Sequence, residues 1–293
     1  MMNKDSISRR IFLVVNAVLL GLIGFCCLAP MLHVLWCSIS DPFTLAREKG
    51  FHLLPLQPLT LAGYAAVLSY KNILTGYLNT IIYVAGGTVL NLVLTTVAAF
   101  VLSRKRFLPA NRIMLFIAFT MLFNGGMIPN YMLVQQLGLI DTRWAILLPS
   151  AFSVFNLVIM RTSFSEIPEA LEESARLDGA NDLQVLWRII IPVSKATIAV
   201  ITLFVVVSFW NSWFVASIYL PDRTKWPLQL FLREILISNS QRNIDVGVKA
   251  SVIAQQTLIK YCTIIVATLP ILCAYPFVQK YFVKGVMIGS IKG

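Results

Sequence analysis

Charge is what this chain has least of. Only 13% of its 293 residues are Asp, Glu, Lys or Arg, against 58% hydrophobic, where a soluble domain carries roughly a quarter charged. That scarcity excludes a water-exposed globular fold. Histidine is scarcer still, with only His33 and His52, and neither lies in a cluster of carboxylates or cysteines at ligand spacing, so no metal site is expected. The five cysteines, Cys26, Cys27, Cys37, Cys262 and Cys273, form no CxxC pair and read as small packing hydrophobes. No GxxxxGK[ST] phosphate loop occurs, so the chain is not expected to hydrolyse ATP. No nucleophile, base and acid can be assembled into a catalytic set. An enzyme is not expected.

What is present is a series of long charge-free runs, at 11–40, 72–103, 113–140, 144–160, 196–221 and 261–279. Mean hydropathy is +0.78. A spanning helix needs about 20 apolar residues, within roughly 17–25, and six runs qualify. The fold class is therefore an all-α integral membrane protein with six spanning helices, at about 11–39, 75–103, 112–134, 143–164, 196–220 and 258–282. Residues 50–70 are also uncharged, but His52, Pro55, Gln57 and Pro58 argue for a loop with an interfacial helix. Arg9-Arg10 before the first run imitates a signal peptide. The run exceeds the 7–15 residues of a signal core, so an uncleaved first helix is expected.

The net charge of +11 is not a nucleic-acid signature, because no basic stripe is interleaved with aromatics. Lys and Arg cluster instead at alternate ends of the spans. The short connection after the second span carries Arg104, Lys105, Arg106 and Arg112, which places it inside under the positive-inside rule. Both termini are then cytoplasmic. The resulting organisation is a cytoplasmic tail (1–10), a first helix with an external loop (11–74), and a five-helix core (75–282). That core contains a cytoplasmic loop at 165–192 and an external loop at 221–257; a second tail covers 283–293. Pro30 is expected to kink the first helix. Asn124-Gly125-Gly126 and Pro129 are expected to interrupt the third.

The cytoplasmic loop is the most polar stretch of the chain. Pro168 suits a first helical turn, and Glu166, Glu169, Glu172 and Glu173 favour that helix's positive end. Gly179 can adopt the left-handed conformation that ends a helix. Asn181 with Gln184 three residues later predicts a capping box, and Pro192 is expected to stop the second helix. The product is an elbow, with Leu171, Ala175, Leu183, Leu186 and Trp187 available as an apolar ridge. Small Ala175, Gly179 and Ala180 permit close approach, and Glu173 and Arg176 can act as charged anchors. Acids outnumber bases here, which disfavours simple adhesion to an anionic leaflet.

Glu173-Ser174-Ala175, three residues, Gly179, nine residues, then Ile189-Ile190-Ile191-Pro192 resembles the EAA loop of permease subunits in binding-protein-dependent ABC importers. Ser174 and Ile191 are mild departures. Length and arrangement are similar to carbohydrate-type, maltose-permease-related subunits with type I importer architecture. The segments Pro30-Met31-Leu32-His33-Val34 and Phe123-Asn124-Gly125-Gly126-Met127-Ile128-Pro129 resemble an oligosaccharide branch from Gram-positive bacteria. The resemblance implies a bacterial plasma-membrane protein paired with a second permease, two nucleotide-binding ATPases and an external sugar-binding lipoprotein. ATP and Mg would be bound by the ATPase, with no cofactor in this chain. It implies an ATPase-coupling role for Glu173, Ala175, Arg176, Gly179, Ala180, Asp182 and Pro192.

Polar residues within spans mark a translocation path or bond between helices. The candidates are Asn91, Asn124, Asn156 and Asn211, with Trp210 and Trp213 as sugar-stacking aromatics or interfacial anchors. Asn239, Gln241, Arg242 and Asp245 form a candidate tip for docking the binding protein, or an ordinary solvated loop. A stand-alone secondary transporter or channel is the competing class. It is expected to show repeats and intramembrane charges, and neither is apparent.

Overall fold

The computed structural model describes residues 7–48, 50–104, 106, 109–123, 125–242 and 250–290; side chains at 7, 238–242, 250, 274, 275 and 277–290 are not described. All regular structure among them is helical. The α-helices are α1 (Ile7–Ser38), α2 (Pro42–Arg47), α3 (Ala62–Ser69), α4 (Lys71–Ser103), α5 (Ala110–Phe119), α6 (Met127–Gln136), α7 (Trp144–Leu147) and α8 (Val154–Ser165). There follow α9 (Glu169–Leu177), α10 (Asp182–Val185), α11 (Ile191–Val193), α12 (Lys195–Trp210), α13 (Trp213–Tyr219), α14 (Leu228–Arg242) and α15 (Ala250–Ser290). Among the described residues, three helices are long and apolar enough to span a membrane: Ser8–Ser38, Lys71–Ser103 and Ser251–Cys273. Two bent pairs, Ala110–Leu122 with Met127–Gln136 and Asp182–Val193 with Lys195–Trp210, raise the number to 5 if each is one span.

Several expected spans are broken, each for a local reason. The fourth, expected at 143–164, is split into α7 and α8 around Pro149, which lacks the N–H a continuing helix needs; Ser153 then caps α8 through Asn156 N–H. The fifth, expected at 196–220, is split at Asn211-Ser212. There the Asn211 amide donates to the Val207 carbonyl at 3.0 Å and the Ser212 hydroxyl to the Phe209 carbonyl at 2.7 Å, so the freed backbone groups are satisfied without a continuous helix. α1 continues through Pro30. Residues 221–257, expected as an external loop, are not merely loop among the described residues, since they hold α14 and the start of α15.

The described residues divide into two units, one taking the chain up to Lys71 with Glu234–Thr268, the other Asn72–Arg233 and the chain from Leu269 on. In the first, α1 is exposed over residues 8–28. A helix apolar on all sides and left uncovered by its own chain requires lipid or another chain around it. Its C-terminal end is packed. Buried Cys262 donates its thiol to the Ser38 carbonyl at 3.2 Å, the Ser38 and Tyr64 hydroxyls lie 2.6 Å apart, and the His52 N–H donates to His33 Nδ1 at 3.0 Å. His33 is thus a satisfied packing residue, also stacked on Phe51 at 4.9 Å.

The second unit has its core among α4, α8, α9–α11 and α12, with Phe164, Leu157, Met160, Val185, Ile190 and Ile201 fully or almost fully buried. α4 approaches α12 closely because Gly87 has no side chain: a Cβ there would lie 2.2 Å from the Phe209 ring. Phe209 is itself buried and has no room to retreat. At exposed Gly86 a Cβ would make only ordinary van der Waals contact, with Leu147 at 3.7 Å. Gly87→Ala is therefore expected to destabilise the purified protein by about 1–3 kcal/mol, while Gly86→Ala leaves the unfolding temperature unchanged. Thermal unfolding in detergent distinguishes the two.

Candidate functional site

The polar loop folds as its local signals require. α9 ends in a Schellman motif: the Ala180 N–H donates to the Ala175 carbonyl at 2.9 Å and the Gly179 N–H to the Arg176 carbonyl at 3.0 Å. Gly179 has φ +84, the left-handed region where a side chain is penalised. Asn181 and Gln184 form the complete capping box of α10. Arg176 and Asp182, both candidate coupling residues, meet across the bend at 2.6 Å. They lock the elbow rather than projecting as separate anchors. Glu173 is exposed, Ala175 and Ala180 are half-buried, and Gly179 lies at the exposed apex.

Pro192 does not stop the second helix. The helix passes through a π turn at Leu186–Ile190 and through Pro192 before ending at Ser194, where the chain bends 85° into α12. Proline cannot donate to the carbonyl of Arg188, and a widened turn just upstream absorbs that missing bond. The apolar ridge also divides. Leu186 is buried and Ala175 packs on the core, whereas Leu171, Leu183 and Trp187 are exposed, joined by Leu177 at 89% exposure.

The residue that ties this elbow to the transmembrane body is one the sequence reading used only for its charge at a helix end. Glu172 is 6% exposed, and its carboxylate contacts the Arg104 guanidinium at the end of α4. Arg104 also donates to the carbonyl of Phe164 at 3.1 Å and lies over the Phe100 ring at 5.0 Å. Burial pushes the Arg104 pKa below its usual value, and the Glu169 carboxylate pulls it upward; the group stays charged, as arginine does in proteins. Arg161 adds two bonds, to the Leu102 carbonyl at 2.9 Å and to Asn111 Oδ1 at 2.6 Å. The connection after α4 and the polar loop therefore lie on the same end of this unit. They line a cavity of about 1160 Å³ with Glu166, Glu169, Glu173 and Arg176 on its wall.

The other end of α4 carries a second polar cluster that sequence patterning did not reveal. Asn79 donates to the carbonyls of Thr224 at 2.7 Å and Trp226 at 3.1 Å, and the Tyr83 hydroxyl donates to the Lys225 carbonyl at 2.7 Å. Lys225 donates to Asp141 at 2.8 Å and reaches Asp222 at 3.2 Å. The Thr224 N–H and hydroxyl hold the Asp222 carboxyl below its usual pKa, and Asp141 raises that of Lys225.

The candidate path residues separate. Asn91, 2% exposed, donates to the Ser150 carbonyl at 3.4 Å and accepts from the Thr95 hydroxyl, serving the α7–α8 break. Asn156 is buried in α8. Trp210, Asn211 and Trp213 flank the α12–α13 break; Trp210 meets Tyr77 edge-on at 6.3 Å and Trp213 carries the Arg233 guanidinium 3.4 Å above its ring. Asn124 lies outside the described residues. Of the docking candidates, Asn239, Gln241 and Arg242 belong to the last turns of α14 rather than a loop tip, and Asp245 lies outside the described residues.

The profile of the binding-protein-dependent transport system inner membrane component matches residues 92–288. The chain belongs to this family. The permease is 39% identical over 284 residues to protein LplC of Bacillus subtilis, covering 97% of this chain and 96% of that one. It is 40% identical over 273 residues to the polygalacturonan/rhamnogalacturonan transport system permease protein YtcP of the same organism, covering 91% and 93%. In structure it is similar to a chain of a bacterial ABC transporter involved in the import of the acidic polysaccharide alginate, with 37% identity and TM-score 0.84 over 96% of this permease and 100% of that chain.

Breaking a buried ion pair from one side leaves the other charge without compensation, at a cost of about 3–5 kcal/mol. Glu172→Met and Arg104→Met are each expected to lower the permease's thermal stability by that order. Glu172→Met combined with Arg104→Met is expected to recover most of the loss. A double-mutant cycle on unfolding temperature measures the coupling.

Proposed function

We propose that this chain is the permease subunit of an ATP-driven importer that moves an oligosaccharide across a bacterial plasma membrane, and that residues 165–192 receive force from a partner ATPase. The observation that carries the coupling role is the elbow itself. Its inner side is fixed to α4 through Arg104 and Glu172, while Leu171, Leu177, Leu183 and Trp187 stand exposed on a loop that is otherwise polar. Apolar side chains presented on a rigid, charged frame suit a protein groove better than water. The chain is expected to cross the membrane six times with both termini cytoplasmic, the broken fourth segment counting as a crossing. That topology follows from the basic connection at 104–112.

A second homologous permease, two ATPase subunits and an external sugar-binding lipoprotein complete the assembly. ATP and Mg belong to the ATPase subunits. The exposed apolar surface of α1 is a natural face for lipid or for the second permease. The cargo is an oligosaccharide containing uronic acids, a reading supported by the polygalacturonan named for one relative and the alginate named for the structural neighbour. A stand-alone secondary transporter would leave the latched elbow without a purpose.

Proline cannot adopt the positive φ of Gly179, and Glu173→Lys reverses an exposed charge on the elbow without touching the core. Both Gly179→Pro and Glu173→Lys are expected to abolish uptake while the permease still reaches the membrane and co-purifies with its partner permease. Full uptake by both variants would contradict the coupling role.

A further inference from the structure

Arg104, Arg176 and Lys225 in the second unit each face a carboxylate. Arg233, half-buried in the second turn of α14, has none among the described residues. Its guanidinium instead lies over the Trp213 indole, 3.4 Å from the ring centroid. Stacking engages the face of the guanidinium and leaves its in-plane N–H groups directed outward, the geometry that meets a carboxylate through two parallel bonds.

The surroundings point to what would supply that carboxylate. Trp213 is the first residue after the Asn211-Ser212 break, and irregular backbone within an apolar run occurs where it is covered by protein or lines a wet passage. Trp213 meets Phe214 edge-on at 5.3 Å. Phe214 in turn lines a cavity of about 250 Å³ between α13 and α6, with Tyr219, Gly126 and Asn130 on its walls. Asn130 is exposed there and its amide makes no side-chain hydrogen bond among the described residues. Two aromatic rings and one amide, set among Met127, Val215 and Ile218, make an apolar lining with a polar group of the kind that can hold a sugar ring.

We infer that Arg233, held on Trp213, reads the carboxylate of a uronate residue as an oligosaccharide passes the α12–α13 break. The inference rests on the proposed role as a permease for an acidic oligosaccharide and assigns its charge selectivity to one residue. Preorganisation on the indole matters as much as charge, since a lysine there would offer a point charge without the fork.

The test uses the complete importer held in its ATP-bound state by a hydrolysis-deficient partner ATPase. Equilibrium dialysis then compares a galacturonate trisaccharide with its carboxyl-reduced, neutral counterpart. The native protein is expected to favour the charged probe about tenfold, the scale of a charge-assisted pair. Arg233→Gln should bind both probes equally, with neutral-probe binding unchanged, and Arg233→Lys should keep only part of the preference. A purely structural role for Arg233 would weaken both probes together and overturn the inference, as would an undiminished preference in Arg233→Gln. A native importer that binds only the neutral probe would refute the acidic-cargo reading itself, and this inference with it.

Discussion

The ion pair between Arg104 and Glu172 is the constraint from which the rest of the second unit follows. Two opposite charges removed from water stabilise little as a pair, but separating them strands each in a medium that cannot solvate it. The elbow therefore cannot slide away from α4 without a large cost. α4 is a single helix of 33 residues, and its opposite end is fixed to residues 224–228 through Asn79, Thr80 and Tyr83. A displacement applied at the elbow thus acts on a continuous rod whose far end grips the Asp141–Lys225–Asp222 cluster. On the proposed reading, this is how ATPase motion reaches the opposite face.

Around that rod the other long segments are interrupted. Pro149, residues 123–126 and Asn211-Ser212 each break an apolar run, and the freed backbone groups find partners in Asn91, Asn211 and Ser212. At Asn91 the break places a polar group inside an apolar body at small cost, because the protein surrounds it. The breaks also divide labour among the asparagines. Asn91 closes a backbone gap, whereas the α12–α13 break carries the aromatic and cationic groups that suit a sugar.

Much of the elbow was legible in the sequence because its determinants are local. Gly179 with its Schellman bonds, and Asn181 with Gln184, act within six residues and need no tertiary partner. The number and continuity of spans were less legible. Hydropathy counts apolar residues over 143–164 and 196–220 without registering that Pro149 or the Asn211-Ser212 side chains end a helix. Glu172 looked like one more acid at a helix start, since its partner Arg104 lies far upstream and only folding joins them. Asp141, Lys225 and Asn79 escaped for the same reason. The loss of Pro192 as a stop signal has a different cause: a π turn is a compromise between proline chemistry and packing, and no local pattern announces it.

The most direct measurement is site-directed cross-linking in native membranes. A single cysteine replaces Leu177, the exposed apolar residue at the elbow's bend, in a variant otherwise free of cysteine. The account predicts a cross-link to the ATPase subunit whose yield changes when ATP is added. A cysteine at this position that reacts freely with water-soluble reagents in the assembled, transport-competent importer, and never joins the ATPase, would contradict it.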